Sequence, residues 1–208
     1  MKTIFHPLHK LLGEVYDKIY FTISNQVLSI LAKQVVVMFN RAEVHYWADF
    51  GTLLGLVRDN GIIYADTDVD FTVIENDETI RKLDACCRRF HLWFSLRRDL
   101  NRRSYCAYFR LLPARADIYV NRFTSDGNLL IGCEGPFSNV SYDLVKRVVG
   151  KKWKGVEIKI PEKAAELLTY RYGADWHIRK RDHTGRLHST YNPTNPEESS
   201  LRRRDSYW

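Results

Sequence analysis

The stretch Asp49-Phe50-Gly51-Thr52-Leu53-Leu54-Gly55-Leu56-Val57-Arg58, followed by Asp66-Thr67-Asp68-Val69-Asp70-Phe71, decides the reading of this 208-residue chain. Val44 to Phe50, rich in β-branched and aromatic residues, reads as a short strand ended by Gly51, with a brief helix from Thr52 to Arg58. A strand that turns straight into a helix lets backbone N–H groups and the Thr52 hydroxyl approach a phosphate, helped by the helix dipole. Arg58, two turns later, adds a fork of donors. After the Asn60-Gly61 turn signal, Asp68 to Ile74 alternates acidic and apolar residues, as a strand does when one face is polar. Residues two apart in a strand share a face at about 7 Å, so Asp68 and Asp70 stand side by side. Adjacent carboxylates in a partly buried strand repel unless a cation neutralises them, and oxygen-only ligands suit a hard ion such as Mg²⁺ or Mn²⁺. A charged strand edge that blocks aggregation is the competing structural reading.

Outward from this stretch, the residues His6 to Asn40 follow helical spacing, and the polar Ser24-Asn25 pair predicts a break into two helices. A helix capped by Asn76 or Asp77 runs to about Phe90. Strands are expected over His91 to Leu96, Ser104 to Leu112, Arg115 to Phe123 and Leu129 to Gly132, the last after an Asp126-Gly127 turn. Trp153 to Ile160 alternates as a strand, Pro161 opens a helix to Tyr172, and Gly173 caps it. The inventory is an α+β fold with a mixed or antiparallel sheet flanked by helices. It divides as one domain over residues 1–178, N-terminal helices included, and a basic, loosely held tail over residues 179–208.

The chain carries 32 Lys and Arg against 25 Asp and Glu, a net charge of +7. Eight arginines between Arg88 and Arg115 face Asp99 alone, so the excess is local. That cluster suits an anionic substrate or surface as readily as a solvated face. Unbroken apolar runs such as Val35 to Phe39 fall short of the roughly 20 residues needed to cross a bilayer, and no signal-peptide pattern opens the chain. A cytoplasmic location is expected, with peripheral contact at the inner face of a membrane. Cys86, Cys87, Cys106 and Cys133 show no disulfide or zinc spacing. His177, His183 and His188 lack partners for a zinc set.

In order and spacing, Gly51-Thr52-Leu53-Leu54-Gly55, Arg58, Gly61-Ile62-Ile63 and Asp66-Thr67-Asp68-Val69-Asp70 resemble the LicD-like and fukutin-like phosphotransferases of the nucleotidyltransferase superfamily. The similarity reappears in Val156 to Pro161 and in Tyr170-Arg171-Tyr172-Gly173-Ala174-Asp175-Trp176, so it spans roughly Val44 to Trp176. It departs at Ala65 and Thr67, where the family often has Trp and Asp. The resemblance implies that Asp68 and Asp70 bind the catalytic metal and that a third carboxylate comes from a later strand, for which Asp117 is the candidate. A salt bridge to a neighbouring arginine is the structural alternative for Asp117. The same resemblance assigns Gly51, Thr52, Arg58 and Asp66 to substrate binding, and it leaves Tyr172 and Trp176 open between packing and nucleotide contact.

It further implies transfer of a phospho-alcohol group, phosphocholine-like, from a CDP-activated donor to a sugar hydroxyl of a glycan or glycolipid acceptor, as in lipopolysaccharide or capsule biosynthesis. An alternative is a nucleotidyltransferase that adds a nucleotide from a nucleoside triphosphate to a small molecule, protein or RNA. A second alternative is a non-catalytic module that uses the basic stretch to bind polyanions; on the preferred reading no nucleic-acid partner is expected.

Overall fold

A computed structural model describes residues 5–89, 91–92, 94–99, 104–110, 114–131, 139–181 and 187–188. Helix α1 (Phe5–Arg41) leads into strand β1 (Tyr46–Ala48), helix α2 (Phe50–Arg58), strand β2 (Asp68–Ile74) and helix α3 (Asp77–Arg88). Strands β3 (Phe94–Asp99), β4 (Ser104–Phe109), β5 (Arg115–Phe123), β6 (Leu129–Ile131) and β7 (Val140–Ser141) follow, then the one-turn α4 (Tyr142–Val145). The hairpin β8 (Val148–Trp153) and β9 (Val156–Pro161) and helix α5 (Ala164–Tyr172) come next, and a short ladder joins β10 (Lys180–Arg181) to β11 (Leu187–His188).

The main sheet has the order β1-β2-β5-β4-β3, with β6 and β7 continuing from β5. Only the central β2–β5 pair is parallel, so the sheet is mixed and the chain is α+β as its sequence suggests. In that pair Asp68 faces Arg115 and Asp70 faces Asp117. On the far side of β5, Cys106 of β4 faces Asp117. Side chains at matched positions of neighbouring strands share a face, so the pairing alone gathers the acids on one face at the start of the two central strands.

Two clusters make up the core. In the larger, α1 lays Leu28, Leu31, Val35 and Phe39 against Tyr46, Phe71, Ile118 and Val120 of the sheet. In the smaller, Leu53 and Leu54 of α2 meet Leu167, Leu168 and Tyr172 of α5. The opposed clusters hold α2 between the sheet and α5, which fixes the start of α2 beside β2.

Several expectations change. The helix α1 is continuous across Ser24-Asn25, because Asn25 remains helical and its Nδ2 donates outward to the Ile62 and Ile63 carbonyls at 3.3 and 3.0 Å. Polar residues cost a helix only about half a kcal/mol each, which does not amount to a break. The continuous helix also contains a stretch, Lys18–Arg41, long and apolar enough to cross a membrane by length and composition, although 44% of its apolar window is buried inside the protein. Trp153 to Ile160 is the turn and second arm of a hairpin, since Lys154 and Gly155 both take positive φ, 46° and 79°. Helix α5 begins three residues after Pro161, which ends β9 instead of opening the helix; Gly173 caps α5 with φ 84°. Most of the residue 179–208 tail, with Cys133, Arg102, Arg103 and His183, lies outside the described residues.

Candidate active site

Asp49 organises the site. It is wholly buried. Its Oδ1 accepts from the Phe50 N–H at 2.8 Å, and its Oδ2 accepts from Trp47 Nε1 at 3.1 Å, Thr72 Oγ1 at 2.9 Å and Arg171 NH2 at 2.7 Å. A lone carboxylate would not survive such burial, and four donors with one cation satisfy it. The Arg171 guanidinium also stacks over the Phe50 ring, 3.9 Å from its centroid. Phe50, at φ 45°, holds a left-handed conformation costly for a bulky residue. The Asp49 carboxylate, the Arg171 stack and an edge contact with Tyr119 at 5.2 Å restrain it there. The turn into α2 is therefore made at Asp49-Phe50, one residue before the glycine that the sequence suggests.

Gly51 serves close approach. A Cβ built there would lie 3.0 Å from Asp66 Oδ2 and 3.9 Å from Asp70 Oδ2. Its bare backbone lets two acids close on the first turn of α2, whose dipole favours negative charge. Asp66 is shaped locally: Ala65, at φ 67°, turns the chain, and Asp66 Oδ1 accepts from the Thr67 N–H at 3.0 Å.

Asp68, Asp70 and Asp117 each offer an oxygen, and the three oxygens lie within 4.8 Å of one another. Asp70 is buried, while Asp68 and Asp117 are half-buried. Burial, then the charges of Asp68, Asp66, Asp117 and Asp49, drives the Asp70 pKa well above the usual carboxylate range. Such convergence of hard oxygen donors, with one forced toward protonation in the absence of a counter-charge, fits a metal cation. The three aspartates form a cluster that could bind a metal ion.

Arg115 is the countercharge built into the chain. Its NH2 lies 2.9 Å from Asp68 Oδ2 and 2.8 Å from Asp117 Oδ2. Burial would lower its pKa, but Asp117 and Asp68 outweigh that and hold it raised. Burial, with Asp117 beside it, pushes the Cys106 thiol up to about 12, although a hydrogen bond from Tyr108 works the other way. The thiol donates to Asp117 Oδ1 at 3.0 Å.

A cleft of about 440 Å³ opens beside Asp68 and Arg115. Tyr20, Phe21 and Ser24 of α1 form one wall, Asp66, Thr67 and Asp68 another, and Tyr108, Phe109, Ala114 and Arg115 the third.

The structure thus brings Asp68, Asp70 and Asp117 together, while Asp66 and Asp70 close on Gly51 at the first turn of α2. Thr52 departs from its expected place at a phosphate: it is buried, and its Oγ1 accepts from the Asp70 N–H at 2.7 Å, so it clamps β2 to α2. Arg58 departs more widely. It sits about 10 Å along α2 from Gly51 at 1.5 Å per residue, and its guanidinium grips Asp59 through contacts of 2.9 to 3.2 Å. Arg179 shares that carboxylate. Tyr172 is buried in the smaller core cluster, and burial followed by the Asp70 charge drives its pKa upward. Trp176 packs half-buried against the same cluster.

Five described arginines of the Arg88–Arg115 stretch lie at the surface. Among the described residues, Arg88, Arg89, Arg97, Arg98 and Arg110 are exposed; Arg98 pairs with Asp84 and Arg110 donates to the His91 carbonyl. Arg115, by contrast, pairs with Asp68 and Asp117. Asp49 and Arg171 were missed by sequence reasoning. The available signals were an Asp immediately before a helix start, an N-cap position, and an Arg between two tyrosines in an apolar helix.

Residues 43–111 match the nucleotidyltransferase domain of the LicD/FKTN/FKRP family. The matched segment contains β1, α2, β2, α3, β3 and β4 and ends before Asp117. No curated protein matches the chain. Among solved structures, the crystal structure of ANT(2")-Ia in complex with adenylyl-2"-tobramycin is similar at 13% identity, over 70% of this chain and 75% of that one, with a TM-score of 0.39. With Asp68, Asp70 and the first turn of α2 inside the matched segment, the protein is LicD-like over residues 43–111.

Proposed function

We propose that the protein is a metal-dependent phosphotransferase that moves a phospho-alcohol group, phosphocholine-like, from a CDP-activated donor to a sugar hydroxyl of a surface glycan or its precursor. The observation that carries this reading is the convergence of Asp68, Asp70 and Asp117 within 4.8 Å at the edge of an open cleft. Those carboxylates would hold Mg²⁺ or Mn²⁺, which supplies charge neutralisation and alignment of the donor diphosphate.

The remaining work falls to the chain itself. Arg115, at the cleft wall beside Asp68 and Asp117, would offer its guanidinium to a donor phosphate. Asp117, on the central strand, receives the proton of the acceptor hydroxyl as its oxygen attacks phosphorus in line and CMP leaves. Tyr20, Phe21, Tyr108 and Phe109 line the cleft together with Asp66 and Asp68, a combination that suits a quaternary ammonium through ring faces and a nearby negative charge. Thr52 and Gly51 hold the acids in register.

We place the enzyme in the cytoplasm, peripheral to the membrane, with a glycan or glycolipid acceptor. The decisive experiment incubates purified protein and Mn²⁺ with a panel of CDP-alcohols and nucleoside triphosphates and identifies the products. Release of CMP from CDP-choline or a related donor supports the reading. Release of pyrophosphate from a nucleoside triphosphate replaces it with nucleotidyl transfer, and turnover that survives Asp70→Asn removes the metal centre from the mechanism.

A further inference from the structure

Helix α1 exposes bulky apolar side chains along the face turned away from the core. Val15, Tyr16, Ile19, Tyr20, Ile23 and Ile30 are 45 to 67% exposed. At 100° per residue they fall within an arc of about 140°, over a length of about 22 Å. The residues that pack α1 onto the sheet, Leu28, Leu31, Ala32, Val35 and Phe39, point the other way and are fully buried. Gln26 interrupts the stripe between Ile23 and Ile30, yet a folded domain seldom leaves so many bulky apolar side chains on one face to water.

The border of the stripe is basic. Lys18 is exposed on α1. One turn past Ile30, Lys33 reaches the β8–β9 hairpin, its Nζ 3.9 Å from where a Gly155 Cβ would sit. That hairpin end carries Lys151, Lys152 and Lys154, the last two exposed, while Glu157, which faces Lys152 across it, is paired with Lys159. Tyr16 and Tyr20 stack at 6.2 Å within the stripe. An apolar face with tyrosines and a lysine rim is the pattern of a helix lying in the headgroup layer of an anionic bilayer.

We infer that α1 docks the protein on an anionic membrane through Val15, Tyr16, Ile19, Tyr20, Ile23 and Ile30, with Lys18, Lys33, Lys152 and Lys154 meeting lipid phosphates. The helix lies on the surface and does not span it, because its C-terminal half is the spine of the core. Tyr20 belongs both to the stripe and to the cleft wall. Docking therefore brings the cleft mouth to the bilayer surface, where a lipid-borne acceptor would present its hydroxyl. The docking itself does not depend on the transfer reaction.

The test is sedimentation of the full chain with vesicles of phosphatidylcholine alone and of phosphatidylcholine with 30 mol% phosphatidylglycerol, followed by light scattering of the free protein. Binding to the anionic vesicles is expected, weakening as salt rises. The double variant Ile19→Asp, Ile23→Asp is expected to lose about tenfold or more of its partitioning, and Lys152→Glu, Lys154→Glu to lose binding chiefly at low salt. Both pairs are surface residues, so circular dichroism and melting should match the wild type. Vesicle binding that is absent, or unchanged in the Ile19/Ile23 variant, overturns the inference. So does a wild-type dimer that this variant dissolves, which would make the stripe an interface between copies of the chain.

Discussion

Replacing Arg115 with Met tests whether the three acids form a cation site. The guanidinium lies 2.9 and 2.8 Å from carboxylates of Asp68 and Asp117, and its side chain is 43% exposed. A charge-assisted contact is worth about 1.5–3 kcal/mol when buried, and solvent screening at this exposure reduces the two contacts together to about 2 kcal/mol. Arg115→Met should therefore destabilise the metal-free protein by about 2 kcal/mol, or about 4–8 °C in melting temperature for a chain of this size. A cation that takes the same two oxygens displaces Arg115, and the same roughly 2 kcal/mol then opposes metal binding in the wild type. Its removal should tighten Mn²⁺ binding by about thirtyfold, and the melting deficit should shrink as Mn²⁺ saturates. Isothermal titration with Mn²⁺ and melting in EDTA read both effects. Unchanged or weaker Mn²⁺ binding in Arg115→Met, with wild-type binding intact, would refute the idea that arginine and metal compete for the same oxygens. No Mn²⁺ binding in either protein would refute the metal centre itself.

Thr52→Val removes the buried acceptor of the Asp70 N–H, and should cost about 1–3 kcal/mol in denaturant unfolding while lowering turnover through loss of Asp70 position. Gly55→Ala places a Cβ 2.4 Å from the Gly61 carbonyl oxygen; this overpacking should cost about 1–3 kcal/mol, and wild-type stability would argue that the α2–loop contact is looser than described. Arg171→Leu leaves the buried Asp49 without its cation and should cost about 3–5 kcal/mol, read as a fall in melting temperature well beyond that of the exposed pair variant Lys82→Ala. Asp70 supplies the pH prediction. Its folded pKa is raised above the unfolded value, so the folded state holds its proton more tightly and stability falls as pH rises from the unfolded value through the folded one. Melting in EDTA should decline from about pH 4 upward as far as this group dominates, and saturating Mn²⁺ should flatten the decline; identical profiles with and without Mn²⁺ would count against the site.

What the sequence makes legible is local chemistry. The alternation of acids and apolar residues in β2 can be read by eye, and the cap of α3 can be narrowed to Asn76 or Asp77, of which Asn76 accepts from the Thr79 N–H, because each depends on neighbours within a few positions. The α1 break fails because the residue that seemed to end the helix is held by carbonyls 37 and 38 positions away. The β8 arm of the hairpin is invisible because a Lys-Gly turn lacks the Asn-Gly signature that marks tight hairpins. The strand-to-helix turn suggests a phosphate for Thr52 and Arg58, while in the fold the Thr52 hydroxyl accepts from the Asp70 N–H and Arg58 grips Asp59, contacts that no local pattern shows. Asp117 could be singled out as a lone acid in an apolar strand. That it meets Asp70 depends on the parallel register of β2 and β5, which no local pattern encodes.

The link between Asp49 and Arg171 shows why the site should behave as one unit with the core. The two residues are 122 positions apart in sequence, and their fully buried ion pair ties α5 to the turn that begins α2. The same Asp49 holds the Phe50 N–H and, through its backbone N–H, the Asp70 carbonyl at 3.1 Å. A shift of α5 would move Arg171, relax the left-handed Phe50, and change the approach of Gly51 to Asp66 and Asp70. Rearranging a buried ion pair leaves an uncompensated charge at a cost of several kcal/mol, so such a shift is resisted. The strain at Phe50, of order 1–3 kcal/mol, is tolerated because that pair overdetermines the turn. The precision of the acid cluster thus rests on a contact that supplies none of its oxygens.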